Sequence, residues 1–300
     1  MASRRQSGDP QPGRRSSGSD AIAIRRLGDE GQAPIGYRAL SCHVRGCQAN
    51  SKAKGVQETT VLEKADYGID APGVVRNLFV IGAVGVLLGL FGPSRLHLGP
   101  LVVRGTSFLW LGGFLIGEAG LMLFYALRGK FSHRDRMLGL HIWRGDEQVL
   151  DVGTGRGLLL IGAAKRLHSG HAFGLDIWNK ADLSGNSLER TERNLRIEGV
   201  TNRCTLVSKG AQQMSFADGM FDVVVSNLCL HNIYDAPNRS RACAEIIRVL
   251  RPHGVAIISD YKHTKQYAEE FSRAGLAVER GQPDWFRTFP ALSIVIARKT

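Results

Sequence analysis

From Trp143 onward, short apolar runs rich in β-branched residues alternate with amphipathic stretches. Helical stretches, such as 157–168 and 187–198, separate the early runs. Strands that alternate with helices predict a parallel sheet, and continuous apolar strands predict helices on both of its faces. Residues 131–300 are therefore expected to be an α/β domain with a doubly wound sheet. The predicted strands are 148–152 (QVLDV), 171–176 (HAFGLD), 204–208 (CTLVS), 221–226 (FDVVVS), 254–260 (GVAIISD) and 292–298 (LSIVIAR).

Two much longer apolar runs precede this domain. Residues 77–94 carry no charge, and residues 105–127 carry only Glu118. A helix needs about 20 apolar residues to cross a hydrocarbon core of about 30 Å. Residues 61–130 are therefore predicted to form a transmembrane hairpin, with spans at about 75–93 and 105–127. The alternative is a pair of buried helices in a soluble domain, but the many glycines favour membrane spans.

Glycine spacing and flanking charge predict how such a hairpin packs and is oriented. Gly85-x-x-x-Gly89 and Gly113-x-x-x-Gly117 are expected to let the two helices approach closely. Glu118 is either a functional carboxylate or, as we expect, a neutral or hydrogen-bonded group between the helices. Basic residues are more frequent outside the spans than in the connecting loop, which predicts both chain ends in the cytoplasm. The outer group is Arg76, Arg128, Lys130, Arg134 and Arg136, and the loop group is Arg95 and Arg104.

Residues 1–60 have a different composition. They are rich in Arg, Ser, Gly and Gln and lack apolar periodicity, which predicts a disordered tail. The alternative is that translation begins near Val56 or Val61, which N-terminal sequencing of the native protein would test.

Charge and cysteine content exclude several classes of function. The net charge of +12 is spread along 300 residues, which suits weak attraction to an anionic membrane surface or to nucleic acid better than a dedicated basic groove. No basic run is interleaved with aromatic residues, so no nucleic-acid partner is expected. Five cysteines, an odd number, predict free thiols rather than a disulfide framework. Cys42, His43 and Cys47 resemble half of a metal site, but no second ligand pair follows, so no metal is expected.

The sequence Asp-Val-Gly-Thr-Gly-Arg-Gly at 151–157 follows the first predicted strand and opens a helix. Bare backbone at this place lets a ligand approach closely, and ligands of such sheets bind at the carboxyl ends of the strands. A dinucleotide fingerprint, G-x-G-x-x-G, would require glycine at position 158, where Leu158 stands. A nicotinamide-dependent oxidoreductase is therefore disfavoured.

Three further stretches accompany the glycine turn. Asp176 ends the second strand, where its carboxylate can accept hydrogen bonds from a ribose diol, and Ile177 and Trp178 supply apolar surface for an adenine ring. SNLCLHN ends the fourth strand, and IIRVLRPHGVAIISDY predicts a helix, a Pro-x-Gly turn and the fifth strand. In this order, residues 143–300 resemble the class I S-adenosylmethionine-dependent methyltransferases, especially the small-molecule branch with the ubiquinone and menaquinone biosynthesis enzymes. The resemblance implies a Rossmann-like sheet and S-adenosylmethionine as cofactor.

The resemblance also implies roles for single residues. Asp176 would bind the ribose hydroxyls, and Asn227 would line the cofactor pocket. Relatives usually carry an acid in the turn after the third strand, where this chain has Ala211, so adenine recognition is expected from backbone groups or Gln212. The residues expected to hold the methionine portion are Asp151, Gly153, Thr154, Gly155 and Gly157.

Methyl transfer depends mainly on positioning, and a base is needed only if the acceptor must lose a proton. His231 is the first candidate, either as a base or as a hydrogen-bonding group at the pocket mouth. Tyr261 is the second, more as a pocket wall than as a base. Tyr234 and His263 also follow strand ends. The aromatic residues of the last loop either roof the acceptor site or form an ordinary core edge: Trp285, Phe286 and Phe289.

Together these patterns predict methyl transfer to a small-molecule, lipid-soluble acceptor at the cytoplasmic face of a membrane. The expected partners are that acceptor and the bilayer. The acceptor pocket is expected from the spans, the loop 178–187 and residues 281–290. The alternatives are a non-catalytic nucleotide-binding membrane adaptor and, less favoured, a nicotinamide-dependent oxidoreductase.

Overall fold

The computed structural model describes residues 63–300. The predicted tail, the alternative start sites and the cysteine pair at 42 and 47 lie outside the described residues. The helices are α1 (Pro72–Phe91), α2 (Gly105–Phe124), α3 (Lys130–Leu138), α4 (Leu158–Ala164), α5 (Leu188–Ile197), α6 (Ala236–Val249) and α7 (Thr264–Arg273). The strands are β1 (Arg95–Leu98), β2 (Leu101–Arg104), β3 (Gln148–Val152), β4 (His171–Asp176), β5 (Cys204–Ser208), β6 (Phe221–Asn227), β7 (Leu250–Asp260), β8 (Ala277–Arg280) and β9 (Ser293–Arg298).

A seven-stranded sheet forms the centre of the α/β domain, in the order β5-β4-β3-β6-β7-β9-β8. The first five strands are parallel, as the alternating pattern predicts. β9 runs antiparallel to both β7 and β8, so the sheet is mixed and the prediction of a parallel sheet holds for five of its seven strands. The sequence did not reveal β8, because its four residues are mostly exposed and form no apolar run.

Helices cover both faces of the sheet, which explains the continuous apolar strands. In β6, Val223 and Val225 face a core with α3, α4 and α5, whereas Val224 faces a core with α6 and α7. All three side chains are fully buried. A strand covered on both sides cannot alternate between apolar and polar residues, so this pattern confirms the doubly wound arrangement.

The segment predicted as helix, Pro-x-Gly turn and strand is organised differently. β7 begins at Leu250, directly after α6, and runs for 11 residues. The expected turn is reduced to an irregularity in the pairing of β6 and β7, where His253 has a positive φ of 62°.

The two long apolar runs form antiparallel helices, α1 and α2, connected by the β1–β2 hairpin. We call residues 72–124 the helical hairpin. Each helix has 20 residues, or about 30 Å at 1.5 Å per residue. Both have the length and composition to cross a membrane. Their large side chains are mostly exposed, among them Phe79, Ile81, Phe91, Trp110 and Phe114. The alternative of two buried helices is therefore not what the structure shows.

Glycines allow close contact between the two helices, but only one of the two predicted motifs is used. A Cβ on Gly85 would lie 3.1 Å from the Cα of Gly112, so Gly85 is at the contact, and Gly89 packs against Leu109 in the same way. On α2 the contact residue is Gly112, because Gly113 and Gly117 have no atoms within 4 Å of a Cβ position. The prediction for the second motif is wrong, since these two glycines lie on another face of the helix.

Two further features of the hairpin differ from expectation. Glu118 is half-buried, but its carboxylate has no hydrogen-bond partner among the described residues, so the expected bond between the helices is not observed. α2 does not end near residue 127. It continues through a π-helical turn, Tyr125–Gly129, into α3, which gives one helix over Gly105–Leu138. The hairpin is thereby joined to the α/β domain without a flexible linker.

The contact at Gly112 predicts a difference between two neighbouring glycines. Gly112→Ala would place a methyl group 2.6 Å from the carbonyl oxygen of Gly82, and we expect it to destabilise the protein by about 1–3 kcal/mol. Gly113→Ala is the matched control and should be neutral or slightly stabilising, because it meets open space and removes a helical glycine. Thermal unfolding in detergent measures both. Equal effects of the two substitutions would contradict the assigned contact.

Candidate active site

A pocket of about 230 Å³ lies at the carboxyl ends of β3, β4 and β6. This is the edge at which the glycine turn follows β3. Most residues predicted to bind the cofactor line it: Asp151, Gly153, Thr154, Gly155, Asp176, Ile177 and Asn227. Gly157 and Trp178 do not line it.

The glycine turn brings backbone to the pocket by using conformations that other residues rarely adopt. Gly153, Gly155 and Gly157 have φ values of 75°, 52° and 85°. A Cβ on Gly153 would overlap the Sγ of Cys229. Gly155 donates its N–H to Asp176 Oδ2 at 2.8 Å, which joins the first two strand ends. Gly157 instead precedes the first residue of α4, so its role in the structure is to start that helix.

Asp151 is the most deeply buried charged group of the pocket, with only 1% of its surface exposed. Its Oδ2 accepts hydrogen bonds from the Thr154 hydroxyl at 2.8 Å and the Leu160 N–H at 3.0 Å. Its Oδ1 has no partner among the described residues, and neither does Asn227 Oδ1. Burial raises the pKa of Asp151 to about 7. Two unsatisfied acceptors facing one pocket suit a ligand with N–H donors, such as the ammonium group of S-adenosylmethionine.

Asp176 is held by three protein donors. Its carboxylate accepts bonds from the N–H groups of Gly155 and Trp178 and from the Asn186 side chain, at 2.8, 2.6 and 3.3 Å. These bonds fix the carboxylate and leave lone pairs free for hydroxyl donors. The Trp178 indole points elsewhere and donates to Ser208 Oγ at 2.7 Å, so it does not form the predicted adenine surface.

The adenine end of the pocket agrees in part with the expectation from the sequence. Ile177 lines the pocket and is 66% exposed, as an apolar surface for a ring must be. Ala211 and Gln212 both line the pocket, together with Lys209 and Gly210. No carboxylate stands in this turn, so an adenine amino group would meet the Gln212 amide or backbone groups.

The opposite end of the pocket is closed by a segment that sequence reasoning missed. Residues 63–71, which we call the strap, precede α1 and lie on the loop 178–187. Ser184 N–H donates to Ile69 O at 3.0 Å, and Ile69 N–H donates to Ser184 Oγ at 2.8 Å. The sequence predicts this segment as part of the hairpin domain, but in the structure it packs on the α/β domain. Its polar sequence has no periodicity, so no local signal could reveal this contact.

Arg156 holds both the strap and the loop. Its side chain is 97% buried. One guanidinium nitrogen lies 2.5 Å from Asp66 Oδ2, and another donates to Ser184 O. Burial opposes ionisation of Asp66, but hydrogen bonds from the Gly68 N–H and Arg156 outweigh it and lower the pKa of Asp66. Arg156 lies within the glycine turn. This turn therefore forms the cofactor end of the pocket and also binds the strap that closes the opposite end.

Lys130 closes the same end from the other side. The sequence predicts Lys130 as part of the cytoplasmic flank of the second span. In the structure its side chain is 95% buried and donates hydrogen bonds to the carbonyl oxygens of Tyr67 and Gly68 at 2.9 and 2.5 Å. The Asp70 carboxylate is 3.8 Å away. Burial lowers the pKa of Lys130 and raises that of Asp70. Tyr67, Asp70, Lys130 and Asp182 all line the pocket, so the strap, the start of α3 and the loop 178–187 form its second end.

The predicted catalytic residues lie beside the pocket rather than in its wall. His231 Nδ1 is 2.8 Å from Asp260 Oδ1, and Asp260 is only 1% exposed. Tyr261 packs edge-on against the His231 ring at 4.6 Å and is 41% exposed, so the structure does not support Tyr261 as a pocket wall. Asn232 and Tyr234, which follow His231, do line the pocket. Sequence reasoning missed Asp260, although an acid at the end of a predicted strand was a usable signal.

The last predicted contributor, residues 281–290, does not line the pocket. Trp285 and Phe286 are 76% and 100% exposed, so they neither roof the acceptor site nor form a core edge.

His263 precedes α7 with a positive φ of 58° and is exposed. Among the described residues, no group of three His, Cys, Asp or Glu side chains could hold a metal ion.

Part of the α/β domain is similar to known proteins. Residues 149–254 match the model of a family described as "Methyltransferase domain". An uncharacterized protein of Haemophilus influenzae is 30% identical over 115 residues, which cover 38% of this chain and 43% of that protein. The ubiquinone/menaquinone biosynthesis C-methyltransferase UbiE of Vibrio campbellii is 28% identical over 119 residues, with coverages of 39% and 42%. The sterol 4-C-methyltransferase strm-1 of Caenorhabditis elegans is 28% identical over 121 residues, with coverages of 40% and 33%.

Solved structures are similar at lower identity. A SAM-dependent methyltransferase from Aquifex aeolicus aligns with a TM-score of 0.45 and 16% identity, over 56% of this chain and 89% of that one. The [4+2]-cyclase SpnF aligns with a TM-score of 0.48 and 15% identity, over 77% and 98%. The chain spans less than half the length of the first curated relatives it matches. Residues 149–254 thus match a methyltransferase domain, which confirms for this domain the enzyme class and the S-adenosylmethionine cofactor predicted from the sequence.

Proposed function

We propose that this protein transfers a methyl group from S-adenosylmethionine to a small, lipid-soluble acceptor at the cytoplasmic face of a membrane. The observation that carries the proposal is the position of the second pocket end. Asp70 stands two residues before α1, and Lys130 follows the π-helical turn after α2, so both ends of the helical hairpin meet at the pocket wall. A ligand entering between them would come from the region that the hairpin occupies.

The names of two relatives agree with such an acceptor. They refer to ubiquinone and menaquinone in one case and to a sterol in the other, all of which are lipid-soluble. The exposed apolar surface of the helical hairpin would anchor the domain where these compounds dissolve. The bias of Arg and Lys toward the outer flanks supports both chain ends in the cytoplasm.

When bound, the cofactor supplies an electrophilic methyl group on a sulfonium centre. Asp151 Oδ1 and Asn227 Oδ1 would accept hydrogen bonds from its ammonium group, and Asp176 would accept bonds from its ribose hydroxyls. The strap and the loop 178–187 cover the second pocket end, and exclusion of water there would favour displacement at the methyl carbon. Methyl transfer then needs mainly correct positioning of the two reactants.

A proton acceptor is available beside the pocket when the acceptor must be deprotonated. The buried Asp260 carboxylate lies 2.8 Å from His231 Nδ1 and accepts a hydrogen bond from the His231 backbone N–H at 3.1 Å. With Nδ1 beside this carboxylate, Nε2 would receive the proton. The Tyr261 ring packs against the imidazole and limits its rotation. In this arrangement His231 is the base, Asp260 positions it and Tyr261 is a packing residue.

Titration of the full-length protein in detergent with S-adenosylmethionine tests the cofactor site directly. We expect Asp176→Ala to weaken binding by about 10- to 100-fold, because a charged acceptor of hydrogen bonds is lost. Asp146→Ala is the control, since that carboxylate is 61% exposed and precedes β3 at the other edge of the sheet. The full chain is needed because a fragment starting at residue 128 lacks the strap. Equal binding by both variants would contradict the assigned site, and binding without turnover on any lipid extract would favour the adaptor.

Asp151 predicts a dependence of stability on pH in the cofactor-free protein. Its folded pKa of about 7 exceeds the 3.8 of an ordinary aspartate, so the folded state keeps a proton that the unfolded chain releases. This contribution to stability is complete below pH 3.8 and is lost as pH rises through 7. Between pH 5 and 8, Asp151→Asn should gain about 2–3 kcal/mol of unfolding free energy relative to the parent, at about 1.4 kcal/mol per pKa unit. Chemical denaturation at several pH values measures the difference, and parallel profiles would show that Asp151 ionises normally.

The catalytic assignment predicts an ordered series of effects on turnover. For an acceptor that must lose a proton, His231→Ala should lower kcat by about 100-fold or more, with cofactor affinity unchanged. Asp260→Asn should lower kcat by less than His231→Ala does, because the imidazole stays in place but loses the carboxylate beside Nδ1. Tyr261→Phe is the control and should stay near the parent value, since it keeps the ring. Transfer of labelled methyl to membrane lipid extracts measures all three, and parental turnover by His231→Ala would leave His231 as a packing residue only.

A further inference from the structure

The α/β domain exposes few large apolar side chains, and nearly all of them lie at one edge. Within residues 128–300 there are six: Ile142, Ile177, Tyr234, Tyr261, Trp285 and Phe286. Ile177, Tyr234 and Tyr261 follow β4, β6 and β7, at the carboxyl ends of these strands. Trp285 and Phe286 lie in the loop before β9, whose first residue pairs with Asp260, the last residue of β7. Only Ile142 lies near the opposite edge, before β3.

The helical hairpin leaves the domain from this same edge. His133 of α3 has its Nε2 2.7 Å from Ser259 Oγ, next to the end of β7. One turn further along α3, Arg136 lies 2.5 Å from Asp284, the neighbour of Trp285. The loop with Trp285 and Phe286, which we call the aromatic loop (282–289), is therefore tied to the helix that continues from α2.

Exposed basic side chains accompany the aromatic ones. Lys180, Lys209 and Lys262 follow β4, β5 and β7, and Arg287 lies in the aromatic loop itself. Lys262 Nζ is 5.4 Å from the centre of the Tyr261 ring. The acid of the aromatic loop, Asp284, is already paired with Arg136, so the loop presents a positive charge beside two aromatic rings.

We propose that this edge of the domain docks on the interface of an anionic phospholipid bilayer, with the Trp285 and Phe286 side chains at the level of the headgroups. Aromatic rings and basic side chains together are typical of residues at membrane interfaces. A fully exposed Phe286 side chain beside Arg287 is explained when lipid covers it. Docking would turn the pocket mouth, where Ile177 and Tyr234 lie, toward the membrane. The inference rests on the proposed function for the purpose of docking, which is access to a lipid-soluble acceptor, whereas the contact itself does not require an inserted hairpin.

Tryptophan quenching in lipid nanodiscs tests the two ideas separately. The full-length protein is reconstituted in phosphatidylcholine and phosphatidylglycerol, with bromine near the headgroup or deep in the acyl chains. The chain has four tryptophans. The quenched emission of a single tryptophan is obtained by subtracting the emission lost in its Trp→Phe variant from the emission lost in the parent. Trp110, 83% exposed on α2, reports insertion of the hairpin, and Trp285 reports docking. Ile142→Trp in the Trp285→Phe background is the matched control, since position 142 is 90% exposed at the other edge.

We expect shallow bromine to remove about half of the Trp285 emission and to leave the tryptophan at 142 unchanged, as an interfacial ring predicts. Quenching of Trp285 should weaken when phosphatidylglycerol is replaced by phosphatidylcholine. Quenching of Trp110 but not of Trp285 would overturn the docking while keeping the hairpin in the membrane. Quenching of Trp285 but not of Trp110 would support docking and overturn insertion. Equal quenching at 285 and 142 would also overturn the proposal, because contact would then not be specific to this edge.

Discussion

The buried guanidinium of Arg156 is the contact on which the arrangement of this protein depends. A cation with 3% of its side chain exposed must be paired, because burial without partners costs several kcal/mol. Its partners are Asp66 in the strap and the Ser184 carbonyl in the loop 178–187. Both segments are thus fixed to the glycine turn that forms the cofactor end of the pocket. The strap leads directly into α1. The pairing of the buried Arg156 guanidinium with the strap therefore also sets where the helical hairpin begins.

The hairpin is held at its second end by the same kind of constraint. Lys130 is buried and donates to two carbonyl groups of the strap, and His133 contacts Ser259 at the end of β7. Burial lowers the pKa of His133 to about 4, so this histidine is neutral at physiological pH and serves as a hydrogen-bonding group. The continuous helix through α2 and α3 transmits this fixed position to the apolar segment. Pocket and hairpin therefore form one unit rather than a domain on a flexible tether.

The polar groups of the pocket work against stability. Asp151 is fully enclosed, has one oxygen without a partner among residues 63–300 and has a raised pKa, all of which cost free energy in the absence of a ligand. Within the same described residues, Asn227 Oδ1 also has no partner. Unsatisfied buried acceptors are rare in folded proteins, and they are expected where a ligand completes the hydrogen bonds.

The sequence determined the strands of the domain, the glycine turn and most of the cofactor end. Strand β3 has the predicted bounds, because a strand covered on both faces is apolar without interruption and ends where the apolar run ends. Strands β4 and β5 also have their predicted bounds, although β5 is the outer strand of the sheet and is partly exposed. Asp151, Asp176 and Asn227 could be placed in one pocket because the carboxyl ends of neighbouring parallel strands meet at one edge. Gly85 could be assigned to the helix contact from its motif, but the choice of Gly112 over Gly113 depends on the rotation of α2, which only packing sets.

Only the tertiary structure decided what closes the pocket and what faces outward. The strap, Arg156 and Lys130 meet across long stretches of sequence, and their polar residues have no periodicity that a local pattern could reveal. The antiparallel β9 and the short β8 depend on the return of the chain to a sheet edge. Trp285 and Phe286 look like core residues in the sequence, because an apolar residue type does not indicate whether protein, lipid or water surrounds the side chain. That surrounding is fixed by the position of the loop on the sheet, a property of the whole fold.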